Sequence, residues 1–228
     1  FAVMIALSAI PIARLPVPQI QIAAPRSGNL FGFLDIVRTD RQIASLLIVA
    51  VTYMVMLGGL RPFLFWANRD WFGASDTAWT GLLVAQGAGA LIGAIVSAMF
   101  VNRMLARMSA YTLTLLTGIL EGAVHLLLLV AQTSVQAIVI LALAGIPEII
   151  SASAWFTALQ ERLAPQQQAL FFTFAAPLWD LFFALGIASA ALHAQGLLPL
   201  TWYWAFVSLT ATLPLVPLYA FGKRRSAS

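Results

Sequence analysis

Three carboxylates interrupt otherwise apolar stretches of this chain: Glu121, Glu148 and Asp180. Acids in such settings can carry protons or hold cations. Each lies near the middle of a run long enough to cross a bilayer. An ionised side chain there costs at least roughly 2.5–3.5 kcal/mol on insertion scales, so it needs a partner, a cavity or a proton. Glu148 follows Pro147, which removes a backbone donor and favours a kink. At helical spacing it shares a face with Ala144 and Ala152, with Ser151 nearby. Asp180 follows Pro177 and Trp179, and its face holds Ala176, Ala184 and Ala188. Small neighbours leave room for water or substrate around both acids. Both are therefore expected to be protonated in one state and ionised in another.

The remaining polar residues are less pointed. Glu121 and His125 are four apart, share a helical face and are expected to pair. Arg61, just before Pro62, is expected to line an outer gate or to pair with Asp70 or Asp76. His193 falls at a membrane edge. With no cysteine in the chain, thiolate catalysis and Cys-based metal sites are excluded, and Glu121 with His125 is too few ligands for a metal. There is no G-x-S-x-G and no Walker A motif. Ser151 or Ser153 with His125 is the only arrangement resembling a nucleophile and base, and it has no motif around it. The expectation is a protein that is not an enzyme and uses no cofactor. A membrane-embedded enzyme and a non-transporting membrane scaffold are the competing readings.

The elements that must position these acids are six apolar stretches: Ile43–Phe65, Thr80–Val101, Tyr111–Gln132, Val135–Leu159, Leu170–His193 and Leu200–Phe221. Each suffices to cross about 30 Å of hydrocarbon as a helix rising about 1.5 Å per residue. The fold class is thus all-α, a six-transmembrane-helix bundle. Only 9% of the 228 residues are charged and 61% are hydrophobic. A soluble domain of this size carries about 25% charged residues, so a bilayer must be the solvent. Ten of the twelve Lys and Arg residues fall in alternate gaps: Arg14, Arg26, Arg38, Arg41, Arg103, Arg107, Arg162, Lys223, Arg224 and Arg225. Only Arg61 and Arg69 fall on the other side. By the positive-inside rule the first group faces the cytoplasm. The net charge of +4 thus reads as a topology signal and as contact with anionic lipid, not as nucleic-acid binding.

The organisation follows. Residues 1–13 read as the end of a further transmembrane helix, so a longer parent is expected. Residues 14–42 form a Pro-rich loop ending in an amphipathic helix with Leu30, Phe33, Leu34 and Val37 on one face. Residues 43–222 form the bundle and 223–228 a tail. In the second span Gly81, Ala85, Gly89, Gly93 and Ser97 recur every four residues, and Gly89/Gly93 is a GxxxG pair suited to close helix packing. Trp66, Trp71, Trp79, Trp202, Tyr203 and Trp204 suit an aromatic belt at the outer interface.

Taken together, the linker, the six spans and the partial span before them resemble the C-terminal half of a major facilitator superfamily transporter. The stretch SAMFVNRMLARMS resembles that family's conserved loop, with Asn102 where Asp is usual, followed by Arg103. The stretch ALQERLAPQQQAL resembles the segment after helix 10 in the branch holding the enterobactin exporter and drug-efflux proteins, and FGFLDIVRTDRQIASLLI resembles that branch's entry to helix 7. The resemblance implies twelve helices in two halves that rock about a central site, with a missing six-helix half as partner. It places Glu148 and Asp180 on the substrate path as proton-coupling candidates, with Trp155, Trp179 and Ser151 as cavity candidates. It puts Asn102 and Arg103 in a gating loop, and Glu121 and His125 on a peripheral helix. The expected function is proton-coupled efflux of a small molecule, such as a drug or siderophore, in a bacterial inner membrane.

Overall fold

Polar side chains cap three of the helices, and the helices Arg41–Asp70, Asp76–Leu105, Ser134–Arg162 and Pro165–Ala194 run past their apolar stretches on both sides. The computed structural model describes residues 30–74 and 76–219. The expected partial helix of residues 1–13, the Pro-rich start of the linker and the tail lie outside the described residues. Among the described residues seven α-helices follow one another: α1 (Leu30–Thr39), α2 (Arg41–Asp70), α3 (Asp76–Leu105), α4 (Ala110–Leu126), α5 (Ser134–Arg162), α6 (Pro165–Ala194) and α7 (Leu200–Thr212). A 3-10 turn, Leu127–Val130, extends α4. Asp40, Ser109 and Thr133 accept backbone N–H bonds as N-caps of α2, α4 and α5, and Pro165 starts α6, where its missing N–H costs nothing.

Among the described residues five helical segments are long and apolar enough to cross a membrane: Arg41–Asp70, Ala78–Leu105, Ala110–Val130, Ser134–Arg162 and Pro165–Ala194. The sixth expected span differs. α7 stops at Thr212, a turn occupies Leu213 and Pro214, and helix resumes only at residues 215–219. Thirteen residues cover about 20 Å, too little alone for a bilayer core. Pro214 and Pro217 lack N–H donors and crowd the preceding turn, so apolarity continues here where the regular helix does not.

α5 packs on both α3 and α4, α7 packs on α4 and α2, and α2 packs on α6. The bundle is an arc in the order α3–α5–α4–α7–α2–α6, closed across its middle where α2 and α5 also meet. α3 and α6, at the two ends, are the least covered of the spanning helices. Glycines draw the helices together. A Cβ at Gly89 would strike the Ala142 carbonyl, one at Gly93 would lie 2.7 Å from the Ile146 carbonyl, and one at Gly145 would lie 2.5 Å from the Ala90 nitrogen. This α3–α5 seam uses the expected GxxxG pair. A second seam joins α2 to α6, where Gly58 faces the Phe183 carbonyl and Gly186 faces the Val55 carbonyl.

The aromatics expected at the outer interface divide. Trp202 is exposed, but Tyr203 and Trp204 are wholly buried, which corrects their placement in the belt. Tyr203 donates its hydroxyl to the Gly59 carbonyl at 3.0 Å, and Trp204 donates its indole N–H to the His125 carbonyl at 2.9 Å. Both face into the bundle because α7 wedges between α2 and α4. At this end Arg69 takes Asp70 at 2.7 Å, while Arg61 lies 5.7 Å over the Phe183 ring. The expected pairing of Arg61 with Asp70 is therefore not formed.

At the opposite end α1 is the amphipathic helix expected from its spacing. Phe33 is buried against Phe171 and Phe174 of α6, at 5.9 and 5.6 Å between ring centres. Asp40 has two roles here. It caps α2 through the amides of Gln42 and Ile43, at 2.8 and 3.3 Å, and it accepts from Arg162 at the end of α5 at 2.5 Å. Burial works against its ionisation, but Arg162 and the two amides outweigh burial and hold its carboxyl below its ordinary value. Its stabilising effect is complete above the unfolded value of about 3.9 and is lost as pH falls through the lowered folded value. Asp40→Ala is expected to cost about 1 kcal/mol through the lost cap. Asp40→Asn keeps the cap and loses only a partly exposed ion pair, less than about 1 kcal/mol. Thermal unfolding in detergent at neutral pH checks both, and the wild type and Asn variant should converge in strong acid.

Candidate functional site

Four helices converge on one cavity of about 290 Å³. α2 supplies Val49, Ala50, Tyr53 and Met54, α4 supplies Glu121, and α6 supplies Trp179. α5 supplies the longest wall, from Glu148 through Ser151 and Ala152 to Trp155 and Phe156. Of the small residues read beside Glu148, Ser151 and Ala152 line this space, and a larger side chain at Ala152 would fill it; Ala144 is buried away from it.

Glu148 is held by two donors from two other helices. The Tyr53 hydroxyl donates to Oε1 at 2.7 Å, and the Gln86 amide of α3 donates to Oε2 at 3.2 Å. Both carboxylate oxygens are thus engaged, and the acid bridges α2, α3 and α5. Such bonds stabilise the half-buried carboxylate and fix where it points. Pro147, one residue earlier, leaves the Leu143 carbonyl without its helical donor, which gives α5 freedom to bend beside the acid.

Glu121 also faces this cavity, which corrects its placement on a peripheral helix. It is 3% exposed. Its side chain does not meet the imidazole of His125. Instead His125 turns Nδ1 to the Glu121 backbone carbonyl at 3.1 Å, because the i−4 carbonyl is the nearest acceptor on its own helix. Glu121 Oε1 and His125 Nε2 have no hydrogen-bond partner among the described residues. Glu121 further lines a smaller cavity of about 40 Å³ with Tyr53, Gly122, Ser151 and Ala211, on the side of α7.

The structure separates Asp180 from Glu148. Asp180 lies on an exposed face of α6 and lines neither cavity. One residue of helical rotation explains the difference, since Trp179 occupies the inward position. Trp155 is anchored rather than free, donating its indole N–H to the Leu46 carbonyl at 2.8 Å and meeting Trp179 edge-on at 5.5 Å. Ser151 donates to the Thr114 carbonyl and Ser153 to the Ile149 carbonyl, so neither hydroxyl is bonded to His125. Asn102 and Arg103 are exposed at the end of α3, and Arg103 lies 5.9 Å over the Phe100 ring.

Tyr53 and Gln86 were not legible as site residues. Tyr53 is an aromatic in an apolar span, and Gln86 a single amide among glycines and alanines. Gln86 does break the apolar face of α3, and that break is the one available signal. Compared with known protein families, curated proteins and solved structures, the chain matches none.

Proposed function

We propose that this chain is the six-helix C-terminal half of a secondary transporter of the major facilitator type. It works by alternating access against a second bundle, and it couples export of a small molecule to proton entry across a bacterial inner membrane. The observation that carries this reading is Glu148, an intramembrane acid at the wall of an apolar cavity, bonded to donors from two other helices. An acid there is expensive to place, and a proton or ligand pathway is its usual reason.

Two further features support the reading. The ends of the arc, α3 and α6, present apolar residues such as Val84, Leu91, Ile95, Leu181 and Leu185 to the outside. Asp180 lies on the exposed face of α6, where a second bundle would meet it. In the proposed cycle Glu148 takes a proton from the outer side and releases it to the inner side. Tyr53 and Gln86 hold the ionised form, so protonation weakens the ties between α5 and its neighbours and shifts the balance between two orientations.

The test uses everted vesicles containing the full-length protein, acidified inside and challenged with a panel of dyes and antibiotics. Loss of the pH gradient on addition of a compound reads exchange. Glu148→Gln is expected to slow that exchange by about a hundredfold or more, the scale of a lost acid–base group. Exchange at the wild-type rate in Glu148→Gln would remove Glu148 from the coupling. No exchange by the wild type with any compound would overturn the transport reading.

A further inference from the structure

We infer that the cavity is a site for a small organic cation, held jointly by Glu121 and Glu148 within an aromatic wall. The inference rests on the reading of this cavity as the transport site, and it narrows that reading to one substrate class.

Charge is the first ground. The cavity lining contains two acids and no Lys, Arg or His. Glu148 already receives one donor on each oxygen. Glu121 does not, and its buried Oε1 has no partner among the described residues. An unpartnered acceptor buried at a cavity wall is costly unless something completes it. His125 does not do so in this arrangement: Nδ1 faces the backbone carbonyl and Nε2 meets no partner among the described residues. A cation in the cavity would satisfy Glu121 and offset one of the two charges of the pair.

The walls supply the second ground. Tyr53, Trp155, Phe156 and Trp179 surround the space, and aromatic faces attract cations by about 0.5–2 kcal/mol each. Such walls favour an ammonium with apolar substituents over a metal ion. A hard cation needs six or more oxygen ligands, and among the described residues no three His, Cys, Asp or Glu are grouped so that they could hold a metal ion. Size is the third ground. About 290 Å³ lies at the small end of ligand pockets, which suits one aromatic ring and a substituted ammonium.

The smaller cavity makes exchange possible. It reaches Glu121 from the other side and has room for water. A carboxyl proton displaced by an arriving cation can pass to water there. The step conserves charge, with one proton out for one organic cation in.

The probe is tritiated benzyltrimethylammonium, applied to the full-length protein in detergent. Saturable binding is expected, weakened at least about tenfold in Glu121→Gln and in Glu148→Gln. Asp35→Asn, on exposed α1, should bind as the wild type does. On wild-type protein, unlabelled cation should displace the probe, whereas neutral tert-butyl benzyl ether and anionic benzenesulfonate should not. Absent saturable binding, wild-type binding by Glu121→Gln, or equal displacement by the ether or the sulfonate would each overturn the inference. Cation binding without gradient-coupled exchange would leave this site standing and defeat the transport reading. Exchange of other compounds without cation binding would do the reverse.

Discussion

Gly145→Leu is expected to prevent α3 and α5 from seating against each other and to leave little folded, monodisperse protein. A Cβ at Gly145 would lie 2.5 Å from the Ala90 nitrogen and 2.6 Å from the Gln86 carbonyl. These are backbone atoms of a regular helix and cannot move alone. Overpacking in a core costs about 1–3 kcal/mol, and a clash with main chain belongs at or beyond the top of that range. In a bilayer no hydrophobic gain between helices offsets the loss, because lipid tails are as apolar as the seam. Gly87→Leu is the control. It lies on the same α3, yet a Cβ there meets nothing within 4 Å. Thermal unfolding followed by size-exclusion chromatography should show a large downward shift for Gly145→Leu and none for Gly87→Leu. Equal behaviour of the two would show that the seam does not hold the bundle. The effect should reach the cavity too, since Gln86 and Glu148 flank this crossing.

Trp204→Ala is expected to destabilise the bundle by about 3–5 kcal/mol, the range for removing a buried aromatic. Trp204 is wholly buried, stacks on Phe63 at 4.4 Å and bonds the His125 carbonyl. Its removal opens a void between α2, α4 and α7 and forfeits dispersion contacts on every side. Trp204→Phe separates the two contributions. It keeps most of the stacking and loses the N–H bond, at about 1 kcal/mol. Thermal melts of both variants in the same detergent measure the difference, and similar losses in the two would assign the role to the hydrogen bond instead.

Much of the architecture was legible because a bilayer simplifies the code. Apolar length locates a spanning helix, and the five long segments arise where such length was read. Boundaries were less legible. Asp40, Ser109 and Thr133 extend helices past their apolar runs by satisfying free N–H groups. The sixth stretch failed in the other direction, because hydropathy does not register the lost donors of Pro214 and Pro217. The two seams show the same limit. Gly89 and Gly93 announce themselves by spacing on one helix. Gly58 and Gly186 work as a facing pair from different helices, and no local pattern joins them.

The site was read in part for a related reason. Glu148 stood out because a single acid in a span is conspicuous by itself. Its partners Tyr53 and Gln86 lie 95 and 62 residues away in sequence and become visible only once α2, α3 and α5 are packed. Asp180 was misjudged by rotation, and Glu121 by the peripheral place that the resemblance implied for its helix. Helical position relative to small neighbours says which side has room, not which side faces inward, and Trp179 takes the inward place beside Asp180.

The indole and phenol tethers have a consequence for mutation. Trp155, Tyr203 and Trp204 each donate to a main-chain carbonyl, at Leu46, Gly59 and His125. Every amino acid carries that acceptor, so no replacement at Leu46 or His125 can delete it. Vulnerability to substitution is therefore lopsided: each of these cross-helix ties can be cut from the aromatic end alone. One side of the contact is free to drift in identity while the other is not, and a scan of single replacements would record three sensitive aromatics with no sensitive polar counterpart.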